Sequence, residues 1–162
     1  MHPSTPPPLF KHIWVFFIVA TFVNAAIWWR RGREYRQRDP SLTEDYRSLI
    51  RGFVTWGNVP WLIMGVGILF GRVPTVFHYF NPRSPNPFVT AFFASIVFLW
   101  IVGTYWLFAR RGAERLVRCP GLVRLPVNSA AAMKGFWILC LAGGVAGLVA
   151  MSFSEIPPPP VP

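Results

Sequence analysis

A chain of 162 residues has the size of one compact domain, but 53% hydrophobic and 17% aromatic residues leave too little polar surface for one that faces water. A net charge of +10 would suit nucleic acid, yet the arginines fall in two blocks beside apolar runs and leave no soluble basic domain to bind it. Two cysteines, Cys119 in a basic loop and Cys140 in an apolar run, exclude a disulfide framework.

In chain order, residues 1–8 form a tail with Pro3, Pro6, Pro7 and Pro8, expected to be extended polyproline II. Leu9 to Trp29 is the first apolar run, close to the ~20 residues that a helix needs to cross the ~30 Å hydrocarbon core. Its charge follows the apolar stretch instead of preceding it, so it reads as a retained span and not a cleaved signal. Arg30 and Arg31 open a basic connection, 30–52, in which Ser41 and Glu44 match a capping box. A short helix from about Leu42 is therefore expected to run into the second span, Phe53 to Phe70. The connection 71–87 is rich in proline, and the third span runs from Phe88 to Ala109. A second basic connection, 110–134, contains Arg110, Arg111, Arg118 and Arg124, and the fourth span runs from Gly135 to Phe153. Residues 154–162 form a proline-rich tail.

The predicted fold is thus an all-α membrane protein of four transmembrane helices. Arginine concentrates in the first and third connections, while the middle connection carries only Arg72 and Arg83. That asymmetry places both basic connections in the cytoplasm, with both termini on the periplasmic side of a bacterial inner membrane. Arg30, Arg31, Arg110, Arg111, Arg118 and Arg124 are expected to lie on anionic lipid headgroups. Displacing the chain by eighty residues, from 30 to 110, superposes Arg30, Arg31, Gly32, Glu34, Arg38 and Pro40 on Arg110, Arg111, Gly112, Glu114, Arg118 and Pro120. Read as a duplication, this echo predicts two tandem helical hairpins related by an axis along the membrane normal.

Chemistry-bearing residues are sparse. Asn24 and Asn58 fall at similar depth in the first two spans, and two amides in hydrocarbon are expected to bond each other. With Trp56, Pro60 and Thr104 they make either a helix-packing cluster or a polar path. Gly67 with Gly71, and Gly143 with Gly147, form GxxxG pairs that suit close helix contact. A haem between His12 and His78 is disfavoured, because His78 sits in the proline-rich connection and not on a span. No acid lies within a span, and no phosphate loop, nucleophile elbow or metal cluster occurs. No catalysis and no cofactor other than bound lipid are expected. The expected partners are membrane lipids and other membrane subunits or further copies of the chain, with no nucleic acid. The sequence favours an accessory or scaffold subunit of a larger inner-membrane complex. A small transporter or channel beside Asn24 and Asn58 is the alternative, and a haem-binding electron carrier a remote one.

Overall fold

A computed structural model of the chain describes residues 12–122 and 129–153. The fold is all-helical, with four helical stretches long and apolar enough to span a membrane: Ile13–Arg31, Leu42–Leu69, Pro87–Ala109 and Ala130–Phe153. Both proline-rich tails and Arg124 lie outside the described residues.

Helix α1 (Ile13–Arg31) ends on Arg30 and Arg31, cations suited to the negative end of the helix dipole. A short basic helix, α2 (Arg33–Arg38), follows. The chain then turns on Asp39, whose Oδ1 accepts hydrogen bonds from the Ser41 N–H (3.0 Å) and hydroxyl (2.6 Å). The expected capping box does not form. Ser41 already has helical dihedrals and its hydroxyl is engaged by Asp39, while Glu44 pairs with Arg47 at 2.9 Å.

Helix α3 (Leu42–Gly57) carries the second span back into the basic connection, well before Phe53. It is interrupted at Asn58 and resumes as α4 (Val59–Leu69). Pro60 supplies the reason: it has no N–H for the carbonyl one turn back, so the ladder breaks there. Gly71, at φ +65°, closes α4 while the N–H groups of Arg72 and Val73 both reach the Gly67 carbonyl at 3.0 Å. Gly71 is therefore a C-terminal cap. It does not act as the second half of a GxxxG contact, since no atom lies within 4 Å of where its Cβ would be.

A 3₁₀ turn over Val76–Phe80 crosses the end of the bundle away from the arginines. Asn86 caps α5 (Pro87–Ala109), accepting from the Phe88 N–H at 3.0 Å and donating to the Arg72 carbonyl at 2.7 Å. Pro87 at the first helical position needs no donor there. A short basic helix, α6 (Gly112–Arg118), and the last span, α7 (Ala130–Phe153), complete the chain. Each half thus repeats one order of elements: span, arginine pair, short basic helix, returning span.

Helix α4 lies between α1 and α5, and α7 packs on α5 and α6 at the edge. One enclosed cluster at the arginine-poor end joins Met64, Val73, Val76, Tyr79, Val89 and Phe92. A second, at the basic end, joins Leu42, Tyr46, Cys119 and Leu122.

Aromatic rings seated on glycines recur through the packing. Trp14 covers Gly65, Tyr79 and Phe88 cover Gly67, Trp100 covers Gly144, Trp137 covers Gly103, and Trp106 covers Gly112. Removing a side chain on one helix lets a large ring on the other approach its backbone. In lipid this dispersion contact is the main source of helix association.

Candidate functional site

At the basic end the two arginine-rich segments are tied into one cap. Tyr46 is fully enclosed on α3 and donates its hydroxyl hydrogen to the Pro120 carbonyl in the second segment. Its ring also lies where a Cβ on Gly32 would stand, so the first segment closes against it. The Arg36 guanidinium stacks over Trp29, 3.6 Å from the ring centroid, and donates to the Trp29 carbonyl at 2.9 Å. Asp45 accepts from Arg115 through Nε (3.2 Å) and Nη2 (2.9 Å), with Arg118 at 3.9 Å. Lys134 at the foot of α7 pairs with Glu114 at 3.1 Å.

The groups around this cap have shifted acidities. Hydrogen bonds from the Ser41 hydroxyl and backbone hold the Asp39 carboxyl below its ordinary value. Glu114 is also lowered, by a backbone hydrogen bond and then by Lys134. Burial, reinforced by the nearby Asp45 charge, pushes the Cys119 thiol up to about 11. Cys119 is 1% exposed and Cys140 lies open on α7, so the two thiols share no environment. Because the thiolate is the nucleophile, alkylation of Cys119 in a Cys140→Ala variant should be slow at pH 8. It should accelerate about tenfold per pH unit toward pH 11, as mass spectrometry would record.

Five of the six arginines singled out in the sequence, Arg30, Arg31, Arg110, Arg111 and Arg118, are exposed around this cap. Arg31 lies against Gly121, which brings the end of α1 beside the second segment. Sequence reasoning did not find Tyr46, Asp45 or Arg36 as the cap's fasteners. The available signal was a tyrosine beside an acid on the amphipathic start of α3.

Within the spans, Asn24 and Asn58 do not bond each other. Asn24 is exposed and donates to the Ala20 carbonyl at 3.0 Å. Asn58 is buried and donates to the Val54 carbonyl at 2.8 Å. Each amide found a carbonyl on its own helix, one turn back, which a local hydrogen bond satisfies with little ordering. Trp56 is half exposed and contacts Phe98, while Pro60 is buried behind the break.

Thr104 belongs to the α5–α7 contact. Its hydroxyl donates to the Trp100 carbonyl at 2.7 Å and accepts from the Trp137 indole at 2.9 Å. Together with the Trp100–Gly144 and Trp137–Gly103 seats, this chain of two hydrogen bonds holds α7 to α5. Gly67 is filled by Tyr79 and Phe88, whereas Gly143 and Gly147 have no atom within 4 Å of a Cβ position.

At the arginine-poor end His78 Nδ1 lies 3.0 Å from Thr75 Oγ1. Tyr79 is 1% exposed, donates to the Met64 carbonyl at 3.3 Å, and its phenol is pushed up to about 12 by burial. Among the described residues no three histidines, cysteines or acids gather as a metal site would require. No protein-family model, curated protein or solved structure matches the chain.

Proposed function

We propose that the chain is a non-catalytic subunit of a larger assembly in a bacterial inner membrane, with the arginine cap in the cytoplasm and both termini in the periplasm. The observation that carries this reading is the state of the two edge helices. Helix α7 has Met133 as its one buried residue, at its basic end, and leaves Ile138, Leu139, Val145 and Val149 half exposed or more. Gly143 and Gly147 form a shallow groove on the same helix with nothing seated in it. Helix α1 presents a complementary stripe of Val15, Phe16, Val19, Phe22 and Val23, exposed at helical spacing on the side away from α4. Gly65, Gly67, Gly103, Gly112 and Gly144 each carry a ring, so the empty groove at Gly143 and Gly147 and the unseated phenylalanine stripe are the surfaces that association would complete.

Extraction of the tagged full-length protein in mild detergent tests the reading. A stoichiometric membrane partner, or a defined oligomer, should accompany it, and a photocrosslinker at Gly143 should capture that species while one at Ser48 should not. A free monomer under gentle extraction, with no crosslink from α7, would end the proposal.

A second reading, passage of a small solute through the bundle, is favoured by the broken helix at Asn58, because interrupted spans with enclosed polar groups mark transport sites. Asn58→Leu should then abolish flux in reconstituted vesicles, and unchanged flux would remove Asn58 from any path.

A further inference from the structure

Three polar side chains in the spans are more than nine-tenths enclosed: Thr21 on α1 (7% exposed), Asn58 at the break between α3 and α4 (5%) and Ser95 on α5 (8%). Ring contacts set their relative depth. Across α1 and the second span, Phe17 stacks on Trp61 at 4.0 Å and Trp28 meets Phe53 at 4.3 Å. In an antiparallel pair those two contacts bracket Thr21 and Asn58 at one level. Across the second span and α5, Trp61 meets Phe92 at 6.2 Å and Trp56 meets Phe98 at 6.3 Å, which brackets Ser95 at that same level.

The helical faces agree. Thr21 continues the α1 stripe of Trp14, Phe17 and Trp28, Asn58 the α4 stripe of Trp61 and Gly65, and Ser95 the α5 stripe of Phe88 and Phe92. Thr21 and Ser95 therefore face the second span at the level of Asn58, on the interior side where Trp61 meets both Phe17 and Phe92.

Each of them directs its donor away from that interior. Thr21 donates to the Phe17 carbonyl at 2.9 Å, Ser95 to the Phe92 carbonyl at 2.7 Å, and Asn58 to the Val54 carbonyl at 2.8 Å. What remains is acceptor capacity on three oxygens beside the second Asn58 amide N–H, and Asn58 Oδ1 is enclosed with no partner. An enclosed acceptor left unpaired in hydrocarbon is destabilising, so a guest that bonds it is favoured. Broken backbone at membrane depth is tolerated where the protein satisfies it internally, and the break falls at Asn58 itself.

We propose that Thr21, Asn58 and Ser95 form a midspan binding site for one small guest that supplies donors or positive charge, a water molecule or an alkali-metal cation. Water suits a pocket offering two to four polar partners. A bare cation is held by the same chemistry, neutral oxygens replacing its hydration shell. The guest joins three helices at their common centre, inside a single chain, so the site does not depend on what covers α1 and α7.

The test is a double-mutant cycle on the full-length protein in detergent. Thr21→Val and Ser95→Ala are made singly and together, and thermal unfolding is followed by tryptophan fluorescence in sodium, potassium and choline chloride at equal ionic strength. Each single variant should lower the midpoint by several degrees. The double variant should fall no further than the worse single, because either change already releases the shared guest. Thr21 and Ser95 each bond only their own helix, so no direct hydrogen bond supplies that coupling. Coupling present in sodium or potassium and absent in choline identifies a cation, and equal coupling in all three salts identifies water. Additive losses in every salt would overturn the site. Thr21→Ser, which keeps the oxygen and with it the guest, should stay near the wild-type midpoint, and a loss as large as that of Thr21→Val would overturn the site equally.

Discussion

Replacing Tyr46 with alanine should unfasten the basic cap and lower stability by about 3–5 kcal/mol, the range for deleting an enclosed aromatic side chain. Tyr46 has no exposed surface, it fills the space that Gly32 leaves open, and it is bonded to Pro120, so one side chain holds both arginine-rich segments. Little can collapse into the space left behind, because Gly32 brings no side chain and Pro120 is fixed by its ring. Tyr46→Phe separates the contributions: it keeps the packing, loses the bond to the Pro120 carbonyl and should cost about 1 kcal/mol. Thermal unfolding by tryptophan fluorescence reads both.

A local readout accompanies the global one. Cys119 belongs to the same enclosed cluster, so Tyr46→Ala should make its thiol reactive at pH 8, whereas Tyr46→Phe should leave it protected. The sign of the pH dependence follows from the direction of the shift. A thiol whose acidity is suppressed by folding stabilises the native state fully below its ordinary value of 9.0. That contribution is lost as pH rises through about 11, so the wild-type cap should weaken over this interval and the Tyr46→Ala cap should show little further change.

The spans were legible because hydrocarbon imposes one solution on a long apolar run: its backbone must bond within itself. The second span adds a local signal to that reading. Hydropathy marks Phe53 as its start, while the helix runs back to Leu42, as the pattern after Pro40 predicts, because the amphipathic turn around Tyr46 packs its apolar side on the cap and not in lipid. Local chemistry accounts for two departures. The Ser41 and Glu44 pattern marks the helix start, but the capping box does not form, because Ser41 already has helical dihedrals and Glu44 turns to Arg47. Asn24 and Asn58 were read as partners from depth alone, and depth does not fix azimuth: Asn24 lies on the flank of α1 while Thr21 faces Asn58's level. The polar trio at that level was invisible as a motif, since its members sit on three helices and each is an ordinary residue at its own position.

The glycine pairs teach the same lesson, and Gly67 allows the sharpest check of it. A spacing of four predicted that Gly67 and Gly71 would act together, but Gly71 terminates α4 and Gly67 alone takes the contact, with the Tyr79 hydroxyl and the Phe88 side chain occupying the place of a Cβ. Gly67→Ala should therefore cost about 1–3 kcal/mol despite the alanine's better helix propensity, since a methyl group must displace an enclosed phenol or the backbone of α5. Tyr79→Phe alone should cost about 1 kcal/mol through loss of the 3.3 Å bond to the Met64 carbonyl. Combining them decides whether steric conflict is the cause. Removing the hydroxyl clears the atom nearest the new methyl, so the double variant should be more stable than the sum of the two losses allows, by about 1 kcal/mol in a thermal unfolding cycle. Simple additivity would mean that Phe88, whose Cβ lies 3.0 Å from the same position, sets the limit, and Phe88→Gly, which removes that Cβ, would then be the variant that restores tolerance at Gly67.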